Sequence, residues 1–96
     1  MSKLFVTSAA ERDFTEALCW YAERSLRAAE GFDTQFDRAL EAIAADPQRF
    51  PLCDERHRYY SLSGYPFQVI YREHADGIVV IAVAHAKRRL GYWHGR

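Results

Sequence analysis

Cysteine is scarce in this sequence, and its scarcity excludes two classes of small protein. The 96 residues include only Cys19 and Cys53, which are too few for a disulfide scaffold and too isolated for a zinc site. The four histidines, at positions 57, 74, 85 and 94, also lack the spacing of metal ligands. We therefore expect no metal ion and no other cofactor.

Long apolar runs, glycine-rich loops and nucleophile motifs are also missing. No run approaches the roughly 18 residues that would span a bilayer. The opening residues 1–6 turn polar at Thr7 and Ser8, unlike a signal peptide. The five glycines form no phosphate-binding loop, and no serine or cysteine lies in a nucleophile motif. These absences predict a cytoplasmic protein without a membrane partner.

The residues that are present predict one compact domain spanning residues 1–96. Hydrophobic residues make up 49% of the chain and charged residues 27%, with 6 Phe, 6 Tyr and 2 Trp available for the core. The net charge is zero, but residues 1–48 hold five basic and nine acidic side chains, and residues 49–96 hold eight basic and four acidic ones. Either the two halves pair within the domain or the basic half binds a partner.

The first half of the chain predicts a strand followed by two helices. Residues 3–7 are typical of a short strand, and Ser8 with Glu11 has the spacing of a capping box. In the first helix, apolar residues share one face, and Asp13 is expected on the other face. Cys19 adjoins the apolar face and is expected to be a small core residue. We expect Gly31 to separate this helix from a second one.

The second half predicts three strands, at 56–62, 67–72 and 78–84, with a tight hairpin at Asp76-Gly77. The predicted fold class is therefore α+β. The N-terminal strand and the three later strands form a mostly antiparallel four-stranded sheet, and a two-helix hairpin packs on it (β-α-α-β-β-β). A short basic C-terminal tail follows.

Basic and aromatic residues are the candidates for binding a target. They are Arg56, Arg58, Arg72, Lys87, Arg88, Arg89, Tyr92, Trp93 and Arg96. Arginines interleaved with aromatic rings suit nucleic acid and suit a protein interface equally well. Alternatively, Tyr92 and Trp93 fold back over the open face of the sheet while the arginines stay solvated. Arg56 and Arg58 either bind phosphate or pair with Asp54 and Glu55, and pairing is the default expectation.

Five short motifs lie in order along nearly the whole chain. They are Ala9…Asp13…Tyr21, Ala39-Leu40…Ile43, Asp46-Pro47…Phe50-Pro51, Tyr65-Pro66-Phe67…Ile70-Tyr71 and Ile81-Ala82-Val83-Ala84-His85…Arg88…Gly91-Tyr92-Trp93…Arg96. Together they resemble the ParE branch of the RelE/ParE superfamily of bacterial toxins. The resemblance implies a helical hairpin on a mostly antiparallel sheet, a cognate antitoxin that neutralises the toxin, and DNA gyrase as the target.

The same superfamily implies a second activity. RelE-like members cleave mRNA on the ribosome without a metal, and Arg88 and Tyr92 fall where their C-terminal catalytic pair would lie. His85 is then a candidate base. His57 and Tyr59 replace the expected lysines. Three hypotheses follow from the resemblance: a gyrase poison without catalysis of its own, a ribosome-dependent mRNA interferase, and a non-toxic domain that binds only its antitoxin.

Overall fold

The order of elements along the chain is the predicted one. The computed structural model describes residues 3–89 and 91–96. Its elements are β1 (Leu4–Val6), α1 (Ser8–Arg24), α2 (Leu26–Ala45), β2 (Arg58–Ser61), β3 (Phe67–His74) and β4 (Gly77–His85). The α+β fold class is thereby confirmed. Within the described ranges, no helix has the length and hydrophobicity needed to cross a bilayer.

The four strands form one mixed sheet in the order β1-β4-β3-β2. Strand β3 is antiparallel to both β2 and β4, and the two-residue turn at 75–76 joins β3 to β4 as the Asp76-Gly77 signal predicted. Only β1 is parallel to its neighbour, and it pairs with Ile78, Val79 and Val80. Because β1 pairs only with residues 78–80, no strand of the described residues lies beside that edge of β4 from residue 81 to 85.

The helical hairpin covers one face of this sheet. The buried side chains of α2, Phe32, Phe36 and Ile43, pack with Val69 and Tyr71 of β3. Phe14 of α1 stacks on Phe36, with ring centroids 4.4 Å apart. Burial of apolar and aromatic area on this face supplies much of the hydrophobic stabilisation of the fold.

The predicted start of α1 and the predicted break between α1 and α2 are both wrong. The N-cap of α1 is Thr7, whose hydroxyl accepts a hydrogen bond from the Ala10 N–H at 3.1 Å, and Ser8 is already helical. The break between the helices lies at Ser25. Its backbone N–H donates to Tyr21 and its hydroxyl accepts from the Ala28 N–H, so Ser25 ends α1 and caps α2.

Gly31 lies inside α2, where glycine ordinarily costs about 1 kcal/mol relative to alanine. The hydroxyl of Tyr65 approaches this glycine so closely that a Cβ at position 31 would overlap it. That hydroxyl donates to the Ala28 carbonyl oxygen at 2.7 Å. Gly31 therefore admits a side chain from the β2–β3 loop rather than ending a helix.

Two further expectations are corrected. Strand β2 begins at Arg58 rather than residue 56, because the Asp54 carboxylate accepts hydrogen bonds from the N–H groups of Arg56 and His57 and folds them into a turn. Cys19 is exposed on α1 and does not belong to the core.

Candidate functional site

The C-terminal turn, residues 91–96, folds back on the face of the sheet that the helices leave open. Trp93 is buried there against Ile70 and Ile81, and Tyr92 is half-buried beside them. The preceding residues Lys87, Arg88 and Arg89 are exposed. The fold-back arrangement is therefore the one that Tyr92 and Trp93 adopt.

Asp13 of α1 holds this turn in place, although the sequence analysis placed it on the polar face of the helix. It is buried, with 8% of its surface exposed. Its carboxylate accepts hydrogen bonds from the Tyr92 hydroxyl at 3.0 Å, the Arg96 guanidinium at 2.7 Å and the Val83 N–H at 3.1 Å. The hydrogen bond to Asp13 also raises the pKa of Arg96, although partial burial opposes it.

The same three side chains cap the edge of β4 beyond the end of β1. Asp13 accepts from the Val83 N–H, and Arg96 donates to the Ile81 carbonyl at 3.0 Å. The Tyr92 hydroxyl, whose single proton is shared with Asp13, lies 3.4 Å from the Val83 carbonyl oxygen. An uncapped strand edge is a template for pairing with another chain. Side chains thus take over the role that a longer β1 would have.

Tyr92 lies between two cations. The guanidinium carbon of Arg88 lies 3.8 Å from its ring centroid, and that of Arg96 lies 5.0 Å away. Burial, together with the charge of Asp13 and the hydrogen bond to it, raises the pKa of Tyr92 to about 12 despite these arginines. At neutral pH the hydroxyl stays protonated and donates to Asp13.

A groove of about 400 Å³ runs between α1 and the adjoining ends of β3 and β4. Its residues are Asp13, Glu16, Ala17, Trp20, Tyr21, Pro66, Phe67, Val83, His85 and Arg88. His85 and Arg88 are thus brought together at one groove, and the Nδ1 of His85 accepts the Lys87 N–H at 2.9 Å. The walls are largely apolar, with Trp20 half-exposed.

A second cavity, which we term the arginine pocket, has a volume of about 300 Å³. It is lined by Leu52, Glu55, Arg56, Arg58, Arg72 and Glu73. The structure therefore brings together the three strand-region arginines that were predicted to bind a target, and it separates them from Lys87, Arg88 and Arg89, which do not line this pocket.

Asp54 does not pair with these arginines, contrary to the default expectation. Its carboxylate oxygens lie 2.9 Å from Nδ1 of His57 and 3.4 Å from Nε2 of His94. Partial burial raises the pKa of Asp54, but the hydrogen bonds from the backbone of Arg56 and from His57 outweigh this effect and lower the pKa to about 2. His57 also packs edge-on to Trp93, with centroids 4.8 Å apart, so Asp54 secures the other side of the C-terminal turn.

Comparison with known proteins decides the family. The protein-family model that describes the ParE toxin of type II toxin–antitoxin systems (parDE) matches residues 4–90. This chain belongs to the ParE toxin family. Among the curated proteins, none matches this sequence at a significant level.

A solved ParE-type structure shares the fold. One chain of the chromosomal ParDE toxin–antitoxin system from P. aeruginosa superposes with a TM-score of 0.79. The match covers 91% of this chain and 98% of that one, at 15% sequence identity. At this identity the likeness concerns the fold alone.

In this ParE-family chain, the residue that the sequence analysis missed is Asp13. Its helical phase contained the signal, since Asp13 is three residues after Ala10 and four before Ala17, both of which are buried. No set of three or more His, Cys, Asp or Glu side chains within residues 3–89 and 91–96 is arranged to hold a metal ion.

Proposed function

We propose that this chain is the toxin of a type II toxin–antitoxin pair, that it acts in the cytoplasm by poisoning DNA gyrase, and that a cognate antitoxin neutralises it. Membership of the ParE family supports the toxin role. The observation that carries the choice of mechanism is the engagement of Tyr92. Its hydroxyl is bound to a buried carboxylate and its ring is covered by Arg88.

This arrangement fits a binding surface better than a nuclease centre. Metal-free RNA cleavage requires a base for the 2′-OH, an acid for the 5′-oxygen and stabilisation of the negative charge that develops on the phosphorus. A group with a pKa of about 12 that already donates to Asp13 is poorly suited to acid–base work near pH 7. We therefore assign no catalytic role to Tyr92.

The target-binding surface that we propose consists of Lys87, Arg88 and Arg89, with the ring of Tyr92 beneath Arg88. These three cations are exposed next to the end of a rigid strand. Trp93, which is buried, and Arg96 support this surface from below by holding the turn in place. Arginine and aromatic side chains of this kind dominate the binding energy of many protein interfaces.

The test is to induce the chain alone in bacteria and to follow DNA and protein synthesis by pulse labelling. We expect DNA synthesis to fall first, and purified gyrase to accumulate cleaved DNA when the chain is added. Protein synthesis that stops while replication continues would overturn the gyrase proposal. Normal growth would instead favour a non-toxic domain that binds only its antitoxin.

Two variants separate binding from catalysis. Tyr92→Phe keeps the ring under Arg88 but removes the hydroxyl, so a gyrase poison should keep most of its toxicity. Arg88→Ala removes an exposed cation of the proposed surface and should weaken gyrase binding, whereas Arg27→Ala, an exposed arginine of α2, should not. Loss of toxicity in Tyr92→Phe, with the fold intact by circular dichroism, would contradict this assignment.

One observation favours the mRNA interferase as a second candidate. His85 and Arg88 line the same groove, which would place an imidazole and a phosphate-binding cation at one surface. Nδ1 of His85 is engaged by the Lys87 N–H, so this ring would donate from Nε2 rather than act as the predicted base. This candidate has the ribosome and mRNA as its partners. It predicts that His85→Gln abolishes mRNA cleavage in a ribosome-dependent assay, whereas the gyrase proposal predicts no cleavage by the unaltered chain.

We place the antitoxin in the groove beside α1. An apolar trough with Trp20 in one wall and Arg88 at its rim suits an amphipathic segment that carries a carboxylate. Trp20→Ala should weaken binding of a cognate antitoxin by about tenfold or more. Phe5→Ala is the matched control, since Phe5 is 50% exposed and Trp20 is 52% exposed. Equal effects of the two substitutions would contradict this placement.

A further inference from the structure

The arginine pocket is a feature that neither the toxin role nor the antitoxin groove explains. Three arginines line this one small cavity, Arg56 from the turn before β2, Arg58 from β2 and Arg72 from β3. The ion pairs of the described residues involve other partners, so no Asp or Glu carboxylate within residues 3–89 and 91–96 lies within 4.0 Å of the guanidinium nitrogens of these three arginines.

Two of these arginines are held in place by backbone oxygen atoms. Arg58 donates one N–H to the Phe50 carbonyl at 2.7 Å, and Arg72 donates one to the backbone oxygen of Arg96 at 3.4 Å. The guanidinium group has five N–H donors, so each retains donors for a ligand. The backbone N–H of Arg56 is fixed by Asp54 at 2.7 Å, which positions that residue at the mouth of the pocket.

The charge of the pocket favours an anion. Three arginines outnumber Glu55 and Glu73 by one, and Asp54, the nearest other carboxylate in sequence, is bound to histidines instead. Planar guanidinium groups match the geometry of phosphate oxygens and bind them through pairs of parallel hydrogen bonds. Two carboxylates at the rim keep the pocket from being a general cationic patch.

We propose that the arginine pocket binds a phosphate group. The phosphate belongs either to a nucleic-acid backbone or to a small free phosphate compound, since both present the same oxygen atoms. Arg72 and Arg56 provide most of the binding energy, and Glu73 weakens it. The site does not depend on gyrase being the target.

The experiment titrates the full chain with inorganic pyrophosphate and, separately, with a short DNA duplex, using calorimetry at low ionic strength. Arg56→Gln and Arg72→Gln should each weaken binding by about tenfold, as expected when one charged hydrogen-bond partner is lost. Glu73→Gln should strengthen it by about twofold to fivefold, because it removes a repulsive charge near the surface.

Arg27→Gln is the matched control for a change of one charge. Arg27 lies next to Ala28, which contacts the β2–β3 loop through Tyr65, whereas Arg58 and Arg72 lie towards the opposite end of that strand pair. Affinity for both probes should be unchanged in this variant. Circular dichroism of each variant establishes that the fold is retained.

The outcomes distinguish the two sources of phosphate. Binding of pyrophosphate without binding of DNA supports a site for a free phosphate compound, and binding of DNA, whether or not pyrophosphate competes with it, supports a backbone site. Three results would overturn the proposal: neither probe binds, both arginine variants bind as the unaltered chain does, or Arg27→Gln weakens binding as much as Arg72→Gln.

Discussion

At the scale of single residues, Asp13 is a polar side chain that contacts a strand, the C-terminal turn and an arginine at once. It is buried, and its partners are Val83, Tyr92 and Arg96. A buried carboxylate is tolerated because charge-assisted hydrogen bonds offset its lost hydration. Removing the charge of Asp13 therefore weakens its hydrogen bonds to β4, to the C-terminal turn and to Arg96 together.

We expect Asp13→Asn to lower the free energy of unfolding by about 2–3 kcal/mol, less than for a fully enclosed pair because the Arg96 side chain is 23% exposed. In a double-mutant cycle with Arg96→Gln, the coupling should be about 1–2 kcal/mol. Urea denaturation measures both. Glu30→Gln, at an exposed position of α2, is the control, and an equal loss of stability there would contradict the role of Asp13.

Asp54 predicts a pH dependence. Its pKa is lowered in the fold to about 2, so its stabilising contribution is complete above the ordinary range near pH 4 and is lost as the pH falls towards 2. Because the side chain is about a third exposed, we expect a loss of about 1 kcal/mol after solvent screening. Between pH 5 and 2, the free energy of unfolding should depend less on pH for Asp54→Asn than for the control variant Asp33→Asn.

At the scale of elements, helix ends were harder to predict than helices. Thr7 and Ser8 are both suitable caps by residue type, and only the backbone decides that Thr7 is extended while Ser8 is helical. The predicted break at Gly31 was wrong because a glycine within a helix has the same local sequence pattern as a glycine that ends one. Here Gly31 accommodates Tyr65.

The two candidate caps can be distinguished by substitution. Thr7→Ala should cost about 1 kcal/mol, since it removes the acceptor of the Ala10 N–H. Ser8→Ala should change stability by no more than about 0.5 kcal/mol. Thermal or urea unfolding of the two variants measures the difference. A larger loss from Ser8→Ala would place the helix start one residue later.

The sequence was sufficient for the element order, the hairpin at Asp76-Gly77 and the mostly antiparallel sheet, because these depend on local periodicity and turn chemistry. The attachment of the C-terminal turn to Asp13 could not be predicted from the sequence. The contacts of Asp13 with Val83 and Arg96 span 70 and 83 residues, and no local pattern encodes such partners. The convergence of Arg56, Arg58 and Arg72 likewise depends on the register of β2 against β3.

At the scale of the whole molecule, the sheet is covered on both faces, by the helical hairpin and by the C-terminal turn. Trp93 is the largest side chain of the second cover. A 96-residue domain has a total stability of only about 5–14 kcal/mol, so this single side chain represents a large share of it.

Trp93→Ala should lower the free energy of unfolding by about 3–5 kcal/mol. Trp20→Ala, which truncates a half-exposed tryptophan, should cost much less. Urea denaturation followed by circular dichroism compares the two variants without relying on tryptophan fluorescence. Similar losses would mean that the turn contributes little to the fold.

The caps on β4 also decide what happens when the C-terminal turn detaches from the sheet. Tyr92 and Arg96 leave together, and the carbonyl oxygens of Val83 and Ile81 then lose their side-chain donors. An apolar strand with such an open edge can pair with the same strand of another copy of the chain. Local opening of residues 91–96 is therefore a route to aggregation that leaves the helical hairpin folded.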